Sequence, residues 1–271
     1  AASAAQTKLR ATEGAQLRLK TYVRRKSTKS NKENTMDIAE HLISISLGVR
    51  FRANFIIDDE LGAIVDHLLY QKGSFFTPER FPKVRNKLNE KALINDQTND
   101  YLLINNSNII LNYGVANRLD DPISIEYLIG AFEEGVIEGV LGEYKISQMN
   151  RLGYIRRYSF SEAAFVRNFI GDRISIVDPE ADSLNLTYSK RLPLTEALAR
   201  KSVNDYSNVI LNFNKPPEAD SLTLSVDYQR YFDPFVEYVD QLRFEEFISD
   251  AHKYNENRIP PLLAVESKNE S

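Results

Sequence analysis

Cysteine is absent from the 271 residues, which excludes disulfides and thiolate chemistry of every kind. The absence accords with a reducing compartment, and a cytoplasmic location is expected. No apolar run approaches the roughly 18 residues that span a bilayer, so no transmembrane helix is expected. The small-residue N-terminus has no apolar h-region, so no signal peptide is expected either. Histidine is scarce: His41, His67 and His252 stand alone, none with a second His or an acid at metal-ligand spacing, and zinc chemistry is not expected. A Gly-rich phosphate loop of Walker or Rossmann type is missing, as is a G-x-S-x-G nucleophile elbow. No catalytic residue, cofactor or metal ligand is therefore assigned. Asp121, Glu143 and Lys145 match in residue type the acid and acid-x-Lys set with which nucleases hold Mg²⁺. Such triplets arise by chance in most chains of this size, and this one is expected to be incidental.

What is present is the composition of an ordinary globular protein, 42% hydrophobic and 27% charged. The length suits one large or two modest domains. Net charge is −4 with pI about 5.6, which argues against the molecule as a whole acting as a polycation. The charge is uneven, however. Residues 1–32 carry nine Lys or Arg against one acid, Glu13, so this arm holds +8 and residues 33–271 hold −12. Two roles suit a basic arm on an acidic body: neutralising the phosphates of a nucleic acid, or lying on an acidic surface of its own body or of a second subunit. Arg18, Lys20, Arg24, Arg25 and Lys26 are its candidate contact residues.

The cleanest alternation runs from Ile43 to Ile57, with Ile45, Leu47, Val49, Phe51, Ala53 and Phe55 on one face and Ser44, Ser46, Arg50, Arg52 and Asn54 on the other. It predicts a long strand with a polar, locally basic outer face. Asp58-Asp59-Glu60 then caps a helix through Leu69. Residues 73–100 suggest a connecting segment with a short helix over 84–93, followed by a hairpin turning at Asn105-Asn106. Asp121-Pro122 opens a helix to about Leu141, in which Ala131, Gly135, Gly139 and Gly142 form a small-residue stripe that predicts close approach of another element. Residues 144–160 read as a strand that Arg156 interrupts. A helix over 162–170, strands at 174–177 and 184–188, a helix from Pro193 to Ser202 and a strand at Val209–Phe213 follow.

The closing unit predicts a strand from Leu222 to Phe232 and a helix starting at Asp233-Pro234. That helix would carry two conflicting stripes: Phe235, Tyr238, Val239 and Leu242, then Phe244, Phe247, Ile248, Ala251 and Tyr254, separated by roughly 150–180°. A bend, burial between two layers, or contact of the second stripe with another subunit would reconcile them. Phe244, Phe247, Ile248 and Tyr254 are therefore candidate interface residues. After Asn255 the polar end, with Pro260-Pro261, reads as a tail.

Residues 107–113 nearly repeat at 207–213. This raises the expectation of two similar halves, related by a pseudo-twofold axis, sharing one largely antiparallel sheet with helices on one side: an α+β fold. The expected divisions are a basic arm (1–35), two α+β halves (36–145 and 146–256) and a polar tail (257–271). Arg50, Arg52, Arg151, Arg156 and Arg157, interleaved with Tyr154 and Tyr158, suit nucleic acid or a protein interface. The leading expectation is a non-enzymatic binding or assembly protein, in which the arm and exposed helix faces contact a macromolecule or its own subunits. Nucleic-acid binding through the arm and the Arg/Tyr strand face is the alternative, and a metal-dependent nuclease the weakest reading.

Overall fold

The computed structural model describes residues 37–71, 74–87, 89–116, 123–161, 166, 169, 183–195, 199–200 and 203–263. Strand β1 (Leu42–Phe51) obeys its alternation, with Ile45, Leu47, Val49 and Phe51 each 1% exposed. It pairs on one side with β5 (Asn108–Gly114) and on the other with β6 (Met149–Phe160). From β5 the sheet continues outward through β4 (Asp100–Asn105), β3 (Glu90–Asn95) and β2 (Lys83–Lys87). From β6 it continues through β9 (Leu222–Val236), β8 (Tyr206–Lys215) and β7 (Leu184–Leu192). The result is one nine-stranded, wholly antiparallel sheet.

Register places Leu93, Leu102, Leu111, Leu47, Tyr154 and Tyr228 in one row across the sheet, all buried. On this face lie helix α1 (Phe55–Tyr70), helix α2 (Ile125–Phe132) with its π-helical continuation Glu133–Gly142, and helix α3 (Phe244–Leu263). The α+β architecture is thus as the alternation predicted, with the helices gathered on one side. No helix among the described residues is long and apolar enough to cross a membrane.

The small-residue stripe finds its neighbour within the chain. A Cβ on Gly135 would lie 2.6 Å from Phe76 Cε2, so only glycine admits this ring. Phe76 is fully buried and stacks on Phe81.

Several boundaries differ from the sequence expectation. β1 ends at Phe51, and α1 begins at Phe55 because Asn54, not the acids at 58–60, accepts from the Ile56 amide (2.9 Å). Residues 84–93 form the β2–β3 hairpin rather than a helix; Asn89, at φ 58°, supplies the left-handed turn. β9 runs through Asp233-Pro234, a cis peptide, to Val236, and α3 starts only at Phe244 after the left-handed Arg243. The first stripe is therefore divided between β9, which holds Phe235, and a 3-10 turn, which holds Val239 and Leu242, while the second lies in α3. α3 then continues to Leu263 with Pro260 and Pro261 in its last turn, so residues 257–263 are helix rather than tail. The expected elements at 162–170, 174–177 and 193–202 fall largely outside the described residues. The near-repeated heptapeptides hold different places: β5 adjoins β1, whereas β8 is separated from β6 by β9. The two heptapeptides are therefore not in equivalent positions of the sheet.

One buried ionic network ties the end of β9 to the start of β8. Arg230, 0% exposed, faces Asp205 at 3.6 Å and donates to the Leu242 carbonyl. Asp205 also accepts from Arg200 (2.6 and 2.7 Å) and from the Asp233 amide (2.8 Å). Removing one partner of a buried pair strands the other charge. Asp205→Ala is expected to cost about 3–5 kcal/mol, read as a lower urea midpoint; a loss under about 1 kcal/mol contradicts this role.

Candidate functional site

Helices α1, α2 and α3 pack on one face, and among the described residues no helix packs on the opposite face of the sheet. Its rows follow from register. One runs from Arg85 on β2 through Ile110, Gly48, Gly153 and Gln229 to Arg191 on β7. The next holds Lys87, Asn108, Arg50, Arg151, Tyr231 and Tyr206. On the other side of the glycine row, Ser44 pairs Arg157, which pairs Ser225 and in turn Asn212.

The face is cationic although the body is acidic. Lys83, Arg85, Lys87, Arg50, Arg151, Arg157 and Arg191 point to it, against Glu90 and Asp227. The β2 cations have acidic neighbours: Lys83 meets Asp96, while Arg85 and Lys87 lie 3.9 and 3.8 Å from Glu90. At the centre, Arg50 and Arg151 sit directly opposite one another, and neither makes an ion pair among the described residues. Like charges in this cross-strand position repel. Burial raises the Asp227 carboxyl above its ordinary range, opposed by a hydrogen bond from Gln229 and by Arg151 and Arg157.

Arg151 and Arg191 are held at the two ends of a stack. The Arg191 guanidinium lies 3.9 Å from the Tyr206 ring centre, Tyr206 and Tyr231 are parallel within 12° at 4.7 Å, and Arg151 lies 5.8 Å beyond. These ring faces are occupied by one another and by arginine, so the stack orders cations rather than offering a free ring. Free rings stand at the adjoining edge, where Phe235 and Tyr238 are 42% and 68% exposed. An open groove of about 290 Å³ lies between Arg50, Arg151, Tyr206, Tyr231 and Phe235. Arg157 lies over β1, donating to Ser44, Ser46 and Asn112 (3.0–3.3 Å). A second open groove, of about 390 Å³, begins beside it.

Of the residues singled out in the sequence, Arg50, Arg151 and Arg157 come together on this face, and Arg52 is exposed just beyond β1. Arg156 does not join them. It faces the helices and donates to the Tyr154 hydroxyl (2.7 Å), which lies 3.0 Å from His252 Nε2. Tyr154 and Tyr158 are 0% and 2% exposed, so they offer no stacking surface. Phe244, Phe247 and Ile248 are likewise buried in the chain's own core, against Phe132 and Tyr228, and Tyr254 packs beside Tyr228. They are not an exposed interface. Arg18, Lys20, Arg24, Arg25 and Lys26 lie outside the described residues, as does Asp121. Glu143 lies 3.6 Å from His67 Nε2, and no group of three His, Asp or Glu among the described residues could hold a metal ion. Phe235, Tyr206, Tyr231 and Arg191 had not been singled out; the helix expected after Pro234 had assigned Phe235 to a buried stripe.

No protein-family model matches the chain, and no curated protein matches it.

Two titrations on the helix side oppose each other. Burial, then Glu245, Glu138, Glu134 and Glu246, raise Glu133 from 4.5 to about 7. Its folded form retains the extra proton, so its contribution is complete below pH 4.5 and lost as pH rises through 7. Burial, then Arg156, lower His252 from 6.5 to about 4, with Glu126 opposing. Its contribution is complete above pH 6.5 and lost as pH falls towards 4. Glu133→Gln is expected to raise the thermal midpoint at pH 8 and leave it unchanged at pH 4.5. His252→Gln, which keeps an acceptor for Tyr154, is expected to flatten the pH dependence between 6.5 and 4. Thermal unfolding across pH checks both, and a Glu133→Gln difference independent of pH contradicts the first.

Proposed function

We propose that the protein is a non-enzymatic binding protein that lays a single strand of nucleic acid across the open face of its sheet. The observation that carries this is the Arg50–Arg151 pair, which makes no ion pair among the described residues, at the centre of a cationic face on an otherwise acidic body. Phosphates are the complementary charge. The face spans eight inter-strand spacings, about 38 Å at about 4.8 Å each, long enough for an extended strand.

Three features favour nucleic acid over an acidic peptide. Asn108, Asn208 and Asn212, each half-buried, carry amides that both donate and accept, as base edges require. Phe235 offers a free ring at the groove mouth, suited to a base. The arm adds +8 from residues 1–32, a second polycationic element. A single strand suits the face better than a duplex, because its Ser and Asn side chains are too short to reach the floor of a groove.

The full-length chain is expected to be retained on immobilised single-stranded DNA or RNA and released by salt. Deleting residues 1–35 is expected to weaken retention without abolishing it. Replacing Arg50, Arg151 and Arg157 together by Gln is expected to flatten the slope of log affinity against log salt by about 1.4, about 0.7 for one phosphate shared by Arg50 and Arg151 and about 0.7 for another at Arg157. Phe235→Ala is expected to lose about 1–3 kcal/mol of binding. A chain that ignores nucleic acid at low salt, or a triple variant that binds like the parent, contradicts the proposal.

A further inference from the structure

Gly48 and Gly153 are direct cross-strand partners in the two central strands. Glycine inside a strand loosens it, by roughly 0.5–1 kcal/mol relative to alanine. Such a glycine is explained when a side chain would clash, when the backbone is left-handed, or when another chain must approach. The first two explanations fail here. A Cβ on Gly153 would meet nothing within 4 Å, and one on Gly48 would make only ordinary contacts, 3.5 Å to the Ile109 carbonyl oxygen and 3.6 Å to Ile110 Cγ1. Neither residue has a φ in the left-handed region. A bare hollow of about 80 Å³ results, bordered by Arg50, Arg151, Gln229 and Asp227.

The row beside this hollow holds the Arg50–Arg151 pair. Two locally unfavourable choices, paired glycines and paired like charges, thus adjoin on the same two strands. A single occupant accounts for both: an anionic chain resting on the bare backbone with a phosphate between the guanidiniums. The Tyr206–Tyr231 stack supports Arg151 from the side away from Arg50, so this arginine is ordered before anything binds.

We infer that the Gly48–Gly153 pair is the seat of the sugar-phosphate backbone, and that Arg50 and Arg151 clamp one phosphate at its rim. The inference rests on the reading of the open face as a nucleic-acid surface and adds to it the place of closest approach. Its signature separates binding from stability. Gly153→Val fills the hollow with a residue that strands favour, so the variant should fold at least as stably as the parent.

The test is fluorescence anisotropy of a labelled 20-nucleotide oligo(dT) on the full-length chain, with thermal unfolding of each variant alongside. Gly153→Val is expected to bind at least tenfold more weakly with an unchanged or higher thermal midpoint. Arg50→Gln and Arg151→Gln are each expected to weaken binding, and the double variant, which leaves their shared phosphate without a cation, to lower the salt slope by about 0.7. Lys253→Gln, the same charge change on the helix side, is expected to do neither. Gly48→Ala, a smaller change at the partner position, is expected to weaken binding in the same direction, which keeps the test intact should Gly153→Val fold poorly. Wild-type binding by both glycine variants overturns the seat while leaving the surface standing. So does a loss from Lys253→Gln equal to that from Arg50→Gln. A parent chain that fails to bind oligo(dT), or binds poly-glutamate or a duplex equally well, overturns the reading beneath it.

Discussion

The antiparallel pairing of β1 with β6 is the constraint from which the rest of the molecule follows. β1 alternates strictly, and antiparallel register carries its parity from strand to strand, so an open-face position on one strand meets an open-face position on the next. Ile45, Leu47, Val49 and Phe51 select one face for the helices. Ser46, Gly48, Arg50, Arg151, Gly153 and Arg157 are thereby committed to the other. A slip of one residue would bury Arg50 and expose Leu47, and the entire helical layer resists it.

A one-sided layer concentrates function. Polar groups on the helix face are consumed internally: Arg230 by Asp205 and the Leu242 carbonyl, Arg156 by Tyr154, Asn255 by the Ala251 carbonyl. On the open face the cations at the β2 edge form ion pairs, whereas Arg50 and Arg151 form none among the described residues. The same residue type thus plays opposite parts on the two faces. Arginine below the sheet closes a network, and arginine above it leaves a charge to be met.

The strands were the legible part of the sequence, because period two is visible wherever one face is buried. β4, β5, β8 and most of β1 and β9 stand where the alternation placed them, although the alternation carried β1 on to Ile57. Helix boundaries were less legible. Asn54 outcompeted the acids four residues on, and Asp233-Pro234 carries the features of a helix start while lying inside a strand. For the site, Arg50, Arg151 and Arg157 could be read as outward-facing from strand parity alone. Arg156 could not be separated from Arg157 by composition, although parity puts consecutive residues on opposite faces. Gly48 and Gly153 carried a signal that went unused, a glycine inside each of two strongly alternating runs. Their adjacency depends on register, and register is a tertiary fact. The Arg191–Tyr206–Tyr231–Arg151 stack draws on four strands and has no footprint in local sequence.

The surface and its rival are separated most directly by where a bound strand lies. Ultraviolet cross-linking of the full-length chain to a single-stranded oligonucleotide, followed by peptide mapping, reads this position. The open-face account places the cross-links on peptides of β1, β6 and β9, with Phe235 among the linked rings. Cross-links confined to α1 or α3, on the helix side, would contradict it.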